Sequence, residues 1–429
     1  MKTVLALIDC RNFYVSVERV FNSTIRTRPV LVLSNNDGCV VALSEEAKQL
    51  GIRRGMPLFE CQHLVDTHQV ALFSSNYALY QDFSDRVMQT LSVFAPRQEI
   101  YSIDEAWLDL AHVEPAQLPA YGRTMQATVQ RHTGLPVHVT IATTKTLSKI
   151  AHEILKQQPE YQGVLSIVTI PAEEIDTFLA QISVDDVWGI GAHFALALNA
   201  MGIYTARQLK DANMFVLKRR LNVTVQRTVL ELRGVSCLPL APHPKRKQHI
   251  ASAKTFSRPV ETLDDLSAAI ATYAARAAEK LRSERSIAGS ISVFITTNRF
   301  KKQDPQYSPS ASRTLHLPTA FTPTLMRTAL DALLSIYREG YQYKKAGVLL
   351  SDIRPQEHLQ FDLFGAFSLS QHHTQARLMH AIDIINRLWG QDTIYFGAQG
   401  LARARTWQMR QERRSPRYTT RWNELFAVT

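Results

Sequence analysis

Asp104 and Glu105 stand side by side inside the stretch EIYSIDEAWLDL, Glu99 to Leu110. Apolar and polar residues alternate through Ile100, Ser102 and Ile103 before the two acids. The run resumes with Ala106, Trp107, Leu108 and Leu110, which predicts two strands of an antiparallel hairpin. Neighbouring carboxylates at a tight turn between buried strands repel each other and lose solvation, so they stay there only if something neutralises them. A hard divalent cation such as Mg2+ does this while leaving room for substrate phosphates. A solvated hairpin tip is the competing reading, because Asp is common in turns. A third acid, Asp9, closes the short apolar run Val4 to Ile8, which reads as a buried strand. Three acids meeting on one sheet edge could hold two cations about 4 Å apart, the arrangement used for in-line phosphoryl displacement. Taken alone, Asp9 reads rather as a strand-end or helix-capping residue.

The elements around these acids alternate between strands and helices. Arg11 to Glu18 opens a helix carrying Phe13 and Tyr14 just beyond the first acid. PVLVLS, the turn Asn35-Asn36-Asp37-Gly38 and Cys39 to Leu43 form a hairpin, and Ser44 to Leu50 is a short helix with Lys48. Leu79, Phe83, Val87 and Leu91 recur at helical spacing and lead toward the acidic hairpin. A helix over Leu118 to His132, a strand over Val137 to Ala142 and a helix over Thr146 to Leu155, ending near Lys156, complete an α+β or α/β catalytic module. From Ile182 the chain turns to short helices. Val187-Trp188-Gly189-Ile190-Gly191 has the look of a helix-hairpin-helix, in which Gly189 and Gly191 would offer backbone N–H groups to DNA phosphate, although glycine also ends ordinary helices.

CLPLAPHPKRKQH, Cys237 to His249, is rich in proline and basic residues and reads as a linker. Beyond it a helix over Leu263 to Arg285, strands at Gly289 to Thr296, Arg313 to Leu317 and Ala346 to Ile353, and a helix over Thr324 to Gly340 describe a small basic domain. There helices cover one face of a four-stranded sheet. Its basic turn, Arg299, Lys301 and Lys302, together with Lys245, Arg246 and Lys247 of the linker, is either a DNA surface or a solvated face. After Pro355 come Gln360-Phe361-Asp362-Leu363-Phe364, a helix around Gln375 to Trp389 and an arginine-rich end.

The chain of 429 residues suffices for about three domains, and a net charge of +11 with an isoelectric point near 9.5 favours an anionic partner. No apolar run approaches a membrane span, and Asp9 arrives too early for a signal peptide, so a cytoplasmic protein is expected. Cys10, Cys39, Cys61 and Cys237 show neither zinc spacing nor a disulfide framework, and the histidines offer no zinc set.

Several motifs in order resemble the Y-family translesion DNA polymerases: Asp9 with Asn12-Phe13-Tyr14, SNNDGCV from Ser34 to Val40, SSNYALY from Ser74 to Tyr80, YSIDEA from Tyr101 to Ala106, and VWGIG from Val187 to Gly191. SNNDGCV and the late SPRYTTR, Ser415 to Arg421, are similar to the UmuC type, and the resemblance covers essentially the whole chain. It implies an α+β right-hand polymerase with palm (1–10 and 78–168), fingers (11–77), helical thumb with helix-hairpin-helix (169–236), linker (237–250), little finger (251–355) and C-terminal tail (356–429). By motif, Asp9, Asp104 and Glu105 would bind two Mg2+ ions with the Cys10 backbone carbonyl as a further ligand. Phe13 and Tyr14 would line the nucleotide site, Tyr14 as the steric gate that leaves no space for a 2′-hydroxyl, and Lys48 and Lys156 would contact the incoming triphosphate.

Three departures stand out: Leu43 where the family usually carries a basic residue, Ala192 and His193 where basic residues commonly follow GIG, and Trp107 in place of a smaller side chain, expected to alter only packing. Gln360, Leu363 and Phe364 resemble the peptide that tethers bacterial polymerases to the sliding clamp. The resemblance further implies primer-template DNA and deoxynucleotides as substrates, a processed UmuD dimer and RecA as partners, low-fidelity synthesis past damaged bases in the SOS response, and a nucleoid-associated cytoplasmic location. Taken without the resemblance, the acids would also serve a two-metal nuclease or cyclase. A clamp-tethered factor that blocks replication without polymerising is the non-enzymatic alternative, and a scaffold has no need of clustered carboxylates.

Overall fold

The computed structural model describes residues 3–242, 246–358, 369–400 and 407–425. The chain divides into two compact units, residues 1–34, 38–244 and 413–429 in the first and residues 35–37 and 245–412 in the second.

The first unit begins with β1 (Leu5–Cys10) and α1 (Phe13–Phe21). Between them Asn12 takes a left-handed conformation at φ 45°, a region that asparagine tolerates better than most side chains, and the reversal delivers the helix directly beside the strand end. Next come β2 (Val30–Leu33), β3 (Val40–Leu43), α2 (Glu45–Gln49), α3 (Leu58–Thr67) and β4 (Ala71–Ser74). The predicted hairpin of β2 and β3 forms, with Ser44 capping α2 by accepting the Ala47 N–H. Sequence reading named neither α3 nor β4. Only Cys61 and Val65 of α3 are buried, too few to give an apolar stripe, and β4 is a short strand lying parallel to β2.

The long helix α4 (Tyr77–Leu91) buries Leu79, Phe83, Val87 and Leu91 as their spacing predicts. It leads to β5 (Gln98–Ile100), β6 (Glu105–Asp109), α5 (Leu118–Thr133), β7 (Val137–Ala142), α6 (Lys145–Gln157) and β8 (Val164–Ser166). The central sheet has the order β5-β6-β1-β7-β8. β1 is therefore interior, and its near-continuous apolar run is that of a strand covered on both faces. Ala6, Ile8, Ala106 and Leu108 pack with residues of α4 and α5, whereas Leu5, Leu7 and Trp107 turn to the other face with Trp188 and Leu240. The short helices α7 (Ala172–Gln181), α8 (Ala192–Asn199), α9 (Ala206–Asp211), α10 (Met214–Arg220) and α11 (Val223–Leu232) share a third core with α6.

The predicted linker has no regular element among its described residues, yet its first part is fastened to this unit. Glu231 accepts the N–H groups of Cys237 and Leu238 at 2.6 and 3.1 Å, and Glu99 accepts that of Ala241 at 2.6 Å.

The second unit holds β9 (Ile250–Val260), α12 (Leu263–Ser283), β10 (Ser286–Thr297), β11 (Ser310–Thr319), α13 (Thr322–Ile336), β12 (Tyr343–Pro355) and α14 (Leu369–Trp389). Its antiparallel sheet runs β11-β10-β12-β9, four strands as expected, with α12 and α13 packed on it. Ile291, Val293 and Ile295 alternate inward along β10, while the alanine-rich face of α12 lets the helix approach closely. Gly347 in β12 has no room for a side chain: an added Cβ would lie 2.4 Å from Ala253 Cβ and 2.5 Å from the Phe294 ring. Gln360, Leu363, Phe364 and Lys245 lie outside the described residues.

Candidate active site

Strand parity gathers the acids. Asp9 follows Leu5 and Leu7 at every second position of β1, and its register partner on β6 is Glu105, which shares a face with Trp107. The strand continues one residue past Asp9, and the Cys10 N–H donates to the Asp104 carbonyl at 2.9 Å. Two neighbouring strands thus place Asp9, Asp104 and Glu105 at one end of the sheet. α6 lies over this face. Trp107 Nε1 donates to Ser148 Oγ at 2.9 Å, the Lys145 ammonium sits 4.8 Å from the Trp107 ring centroid, and Lys149 pairs with Glu105.

Burial pushes the Asp9 carboxyl up to about 8, with the charges of Asp104 and Glu105 adding to the rise and Lys149 and Lys156 opposing it. His152 Nδ1 is 3.8 Å from Asp9 Oδ2, and His152 Nε2 is 3.3 Å from His138 Nδ1. Burial holds His138 down at about 4 and His152 at about 2, so both imidazoles are neutral near pH 7 and give Asp9 no counter-charge. The Cys10 thiol, pushed well up by burial and the neighbouring acids, stays protonated. Ser102 Oγ donates to Asp104. Among the described residues no three His, Cys, Asp or Glu side chains are drawn together as a metal-binding group. The donor chemistry nonetheless suits a hard cation: oxygen ligands only, with the Asp9 carboxyl kept from ionising by burial first and by the other two acids besides.

Tyr14 projects from the start of α1, half-buried, and stacks on Tyr80 of α4 with ring centroids 4.3 Å apart and planes 15° from parallel. Tyr77 meets it edge-on at 6.1 Å, and Arg54 is the cation whose field reaches its phenol. Phe13 is a core residue at 4% exposure, its ring 5.7 Å from that of Tyr14. Beneath the stack Glu18 is 2% exposed and accepts the Tyr80 hydroxyl at 2.7 Å and the Ser415 hydroxyl at 3.0 Å. Burial pushes its carboxyl up to about 7, the two hydroxyls holding it back.

A folded-state carboxyl raised above its unfolded value binds its proton more tightly than the unfolded chain does. Its ionisation therefore lowers stability as pH rises from about 4.5 through about 7. Glu18→Gln has no such dependence. Relative to it, the parent chain is expected to lose on the order of 3 kcal/mol between about pH 5 and about pH 8 in urea unfolding. Parallel pH profiles for the two chains would show that Glu18 ionises freely in place.

The other predicted residues fall into distinct settings. Lys48 pairs with Glu45 at 2.8 Å, and Lys156 with Glu153 at 2.8 Å, although the charge of Lys156 is felt at Asp9. Leu43 is a core residue of the hairpin at 6% exposure, and the charge of Arg54 is the cation felt at Tyr14. Gly189 takes a positive φ of 91° and Gly191 stands just before α8, with Ala192 and His193 exposed in its first turn. Trp107 is fully buried between Tyr101 and Trp188, as expected of a packing change. In the second unit Arg246, Lys247, Arg299, Lys301 and Lys302 are exposed. Of these, Lys247 pairs with Glu284 at 2.5 Å, Lys301 with Asp304 at 3.7 Å, and Arg299 lies over Phe300.

Sequence reading missed Lys145, Lys149, His138, His152, Glu18 and Tyr80. A signal for part of this set was available: Lys145, Lys149, His152 and Lys156 recur at steps of four, three and four along one helix face, in the segment after a strand that neighbours the acids. Glu18 carries no such mark, since an acid one turn after an aromatic is ordinary on a helix.

Comparison with known proteins matches residues 8–153 to the impB/mucB/samB family, residues 247–363 to the C-terminal domain of that family, and residues 376–428 to a domain of unknown function, DUF4113. The chain is 43% identical to Protein UmuC of Salmonella typhimurium over 99% of its own length and 100% of that protein. It is 28% identical to DNA polymerase IV of Caulobacter vibrioides over 84% of its length and 86% of that protein. Among solved structures it resembles a Y-family DNA polymerase chimera of Dbh and Dpo4 with a TM-score of 0.64 and 21% identity, covering 82% of this chain and 99% of that one.

Proposed function

The chain belongs to the impB/mucB/samB family of Y-family DNA polymerases, and from that membership we propose that it is a UmuC-type, template-directed polymerase inserting deoxynucleotides opposite damaged template bases. The observation that carries the reading to a site is the register of Asp9 with Glu105, beside Asp104, at one end of a central sheet.

Y-family polymerases are metal-dependent, and Asp9, Asp104 and Glu105, with the Cys10 carbonyl, are the groups that would hold two Mg2+ ions here. Bound there, Mg2+ would lower the pKa of the primer 3′-hydroxyl and compensate the charge of the triphosphate and the departing pyrophosphate. The chain's own side chains prepare the place. Lys149 neutralises Glu105 and limits the repulsion at Asp9, while the neutral His152 packs against Asp9 without competing for its charge. Lys48, Lys156 and Arg54 are the cations available to the triphosphate, and Tyr14, braced by Tyr80, would meet the sugar where a 2′-hydroxyl would project. In this reading palm, thumb and the fingers apart from residues 35–37 lie within the first unit, and the sheet of the second unit is the little finger, with its exposed basic residues facing DNA backbone.

Three partners follow from the UmuC likeness: the processed UmuD dimer, RecA, and a sliding clamp taken by Gln360, Leu363 and Phe364. Among the described residues no helix is long and apolar enough to cross a membrane, and the proposed work on chromosomal DNA places the protein at the nucleoid in the cytoplasm during the SOS response. Primer extension across an abasic template site, in Mg2+ and with the UmuD and RecA partners present, is the deciding measurement. Nucleotide addition opposite and beyond the site is expected. No addition on damaged and undamaged templates alike would sink the reading.

A further inference from the structure

The late segment of the chain comes back to the first unit beside Glu18, one turn along α1 from Tyr14. Ser74, at the end of β4, donates its N–H to the Arg413 carbonyl at 3.0 Å, and its hydroxyl accepts the Arg413 N–H at 3.0 Å. Asn76, 2% exposed, donates its amide to the Ser415 carbonyl at 2.9 Å, to the Ser415 hydroxyl at 3.0 Å and to the Pro416 carbonyl at 3.2 Å. The Tyr418 ring stacks on Phe21 of α1 with centroids 4.3 Å apart, and Arg417 pairs with Glu424 to close the segment on itself. A segment held only for stability needs no buried hydroxyl aimed at a buried carboxylate. Ser415 is 7% exposed and donates to Glu18 at the same oxygen that accepts the Tyr80 hydroxyl.

The geometry points to Ser415 as a positioning residue for sugar selection: through Glu18 and Tyr80 it fixes the ring on which Tyr14 leans. Tyr14 and Glu18 are one turn apart on the same face of α1. The carboxylate of Glu18 pins the hydroxyl end of Tyr80, and the body of that ring then lies flat under Tyr14. Both hydroxyls converge on one oxygen. Without Ser415 that oxygen keeps one donor, the carboxylate has freedom to turn, and Tyr80 turns with it. Asn76, one turn before Tyr80 on α4, ties the same serine to the helix that carries Tyr80. The segment therefore grips both partners of the aromatic stack, α1 through Glu18 and Phe21, and α4 through Asn76.

The inference rests on Tyr14 being the sugar gate, and the experiment separates the two. The ratio of kcat/KM for a deoxynucleotide to that for its ribonucleotide is measured for the full chain, Ser415→Ala, Tyr14→Ala and the double variant. A ratio taken on one preparation is independent of the fraction of folded enzyme, so partial unfolding does not imitate the effect. Ser415→Ala is expected to lower the ratio about three- to tenfold, the scale of a weakened aromatic stack. It is expected to do nothing further in the Tyr14→Ala background, because residues that act through one another are non-additive. Ser415→Thr, which keeps the hydroxyl, should restore most of the parent ratio. If Tyr14→Ala lowers the ratio and Ser415→Ala does not, or if Ser415→Ala lowers it equally with and without Tyr14, Ser415 has no positioning role. If Tyr14→Ala leaves the ratio untouched, the gate reading itself fails and the inference with it.

Discussion

Replacing Asp104 by alanine will cut primer extension by about a thousandfold or more and leave affinity for primer-template DNA close to that of the parent chain. The carboxylate is one of three that would compensate charge at the reacting phosphate, a contribution of several kcal/mol, and each 1.4 kcal/mol or so is a factor of ten in rate. The fold has little reason to suffer. The only side-chain partner of Asp104 among the hydrogen bonds above is Ser102, and the bond that ties this position to β1 uses its backbone carbonyl, which alanine retains. DNA affinity is expected to come from cations elsewhere, among them Arg246, Arg299 and Lys302, and so to survive. Single-turnover extension with fluorescence anisotropy on the same duplex checks both halves. Extension within tenfold of the parent would falsify the assignment of Asp104 to the reacting centre.

Tyr14→Ala is expected to raise ribonucleotide insertion by about tenfold to a hundredfold, because forcing an extra group against a packed ring costs on the order of 1–3 kcal/mol. The effect is specific to the sugar. Truncating Tyr14 leaves Phe13, a core residue, to hold α1 in place, and Tyr80 keeps its hydrogen bond to Glu18. Deoxynucleotide insertion should change far less than ribonucleotide insertion when the four matched nucleotide pairs are compared. Equal changes in both would mean that the ring supports the site without sensing the sugar.

The acids were legible because a strand's alternation and the adjacency of Asp104 and Glu105 carry their own geometry. Once β1 and β6 pair, parity alone puts Asp9 and Glu105 on one face. Three strands and the two helices of the second unit's sheet layer were legible for the same reason, falling close to their periodic spans, whereas β9, whose buried positions do not alternate regularly, was not named. The pairings that qualify the site were not. Lys149 meets Glu105 across 44 positions, and Ser415 meets Glu18 across 397, and no local pattern announces such meetings. The arginine-rich tail was read as one appendage, whereas Trp407 packs in the core of the second unit and Tyr418 against that of the first. α3 escaped because its burial rests on two side chains, too sparse to print a period.

The pairing of Ser74 with Arg413 has a consequence for how the protein is made. The two residues are 339 positions apart. A ribosome therefore releases the whole amino-terminal half, with the edge of β4 and the carboxylate of Glu18 still uncovered, long before Arg413, which pairs with the strand, and Ser415, which donates to the carboxylate, have been translated. The nascent half must either wait with Glu18 buried short of one of its two donors or remain loosely packed there until synthesis nears its close, which makes this corner the natural place for a chaperone or a protease to intervene.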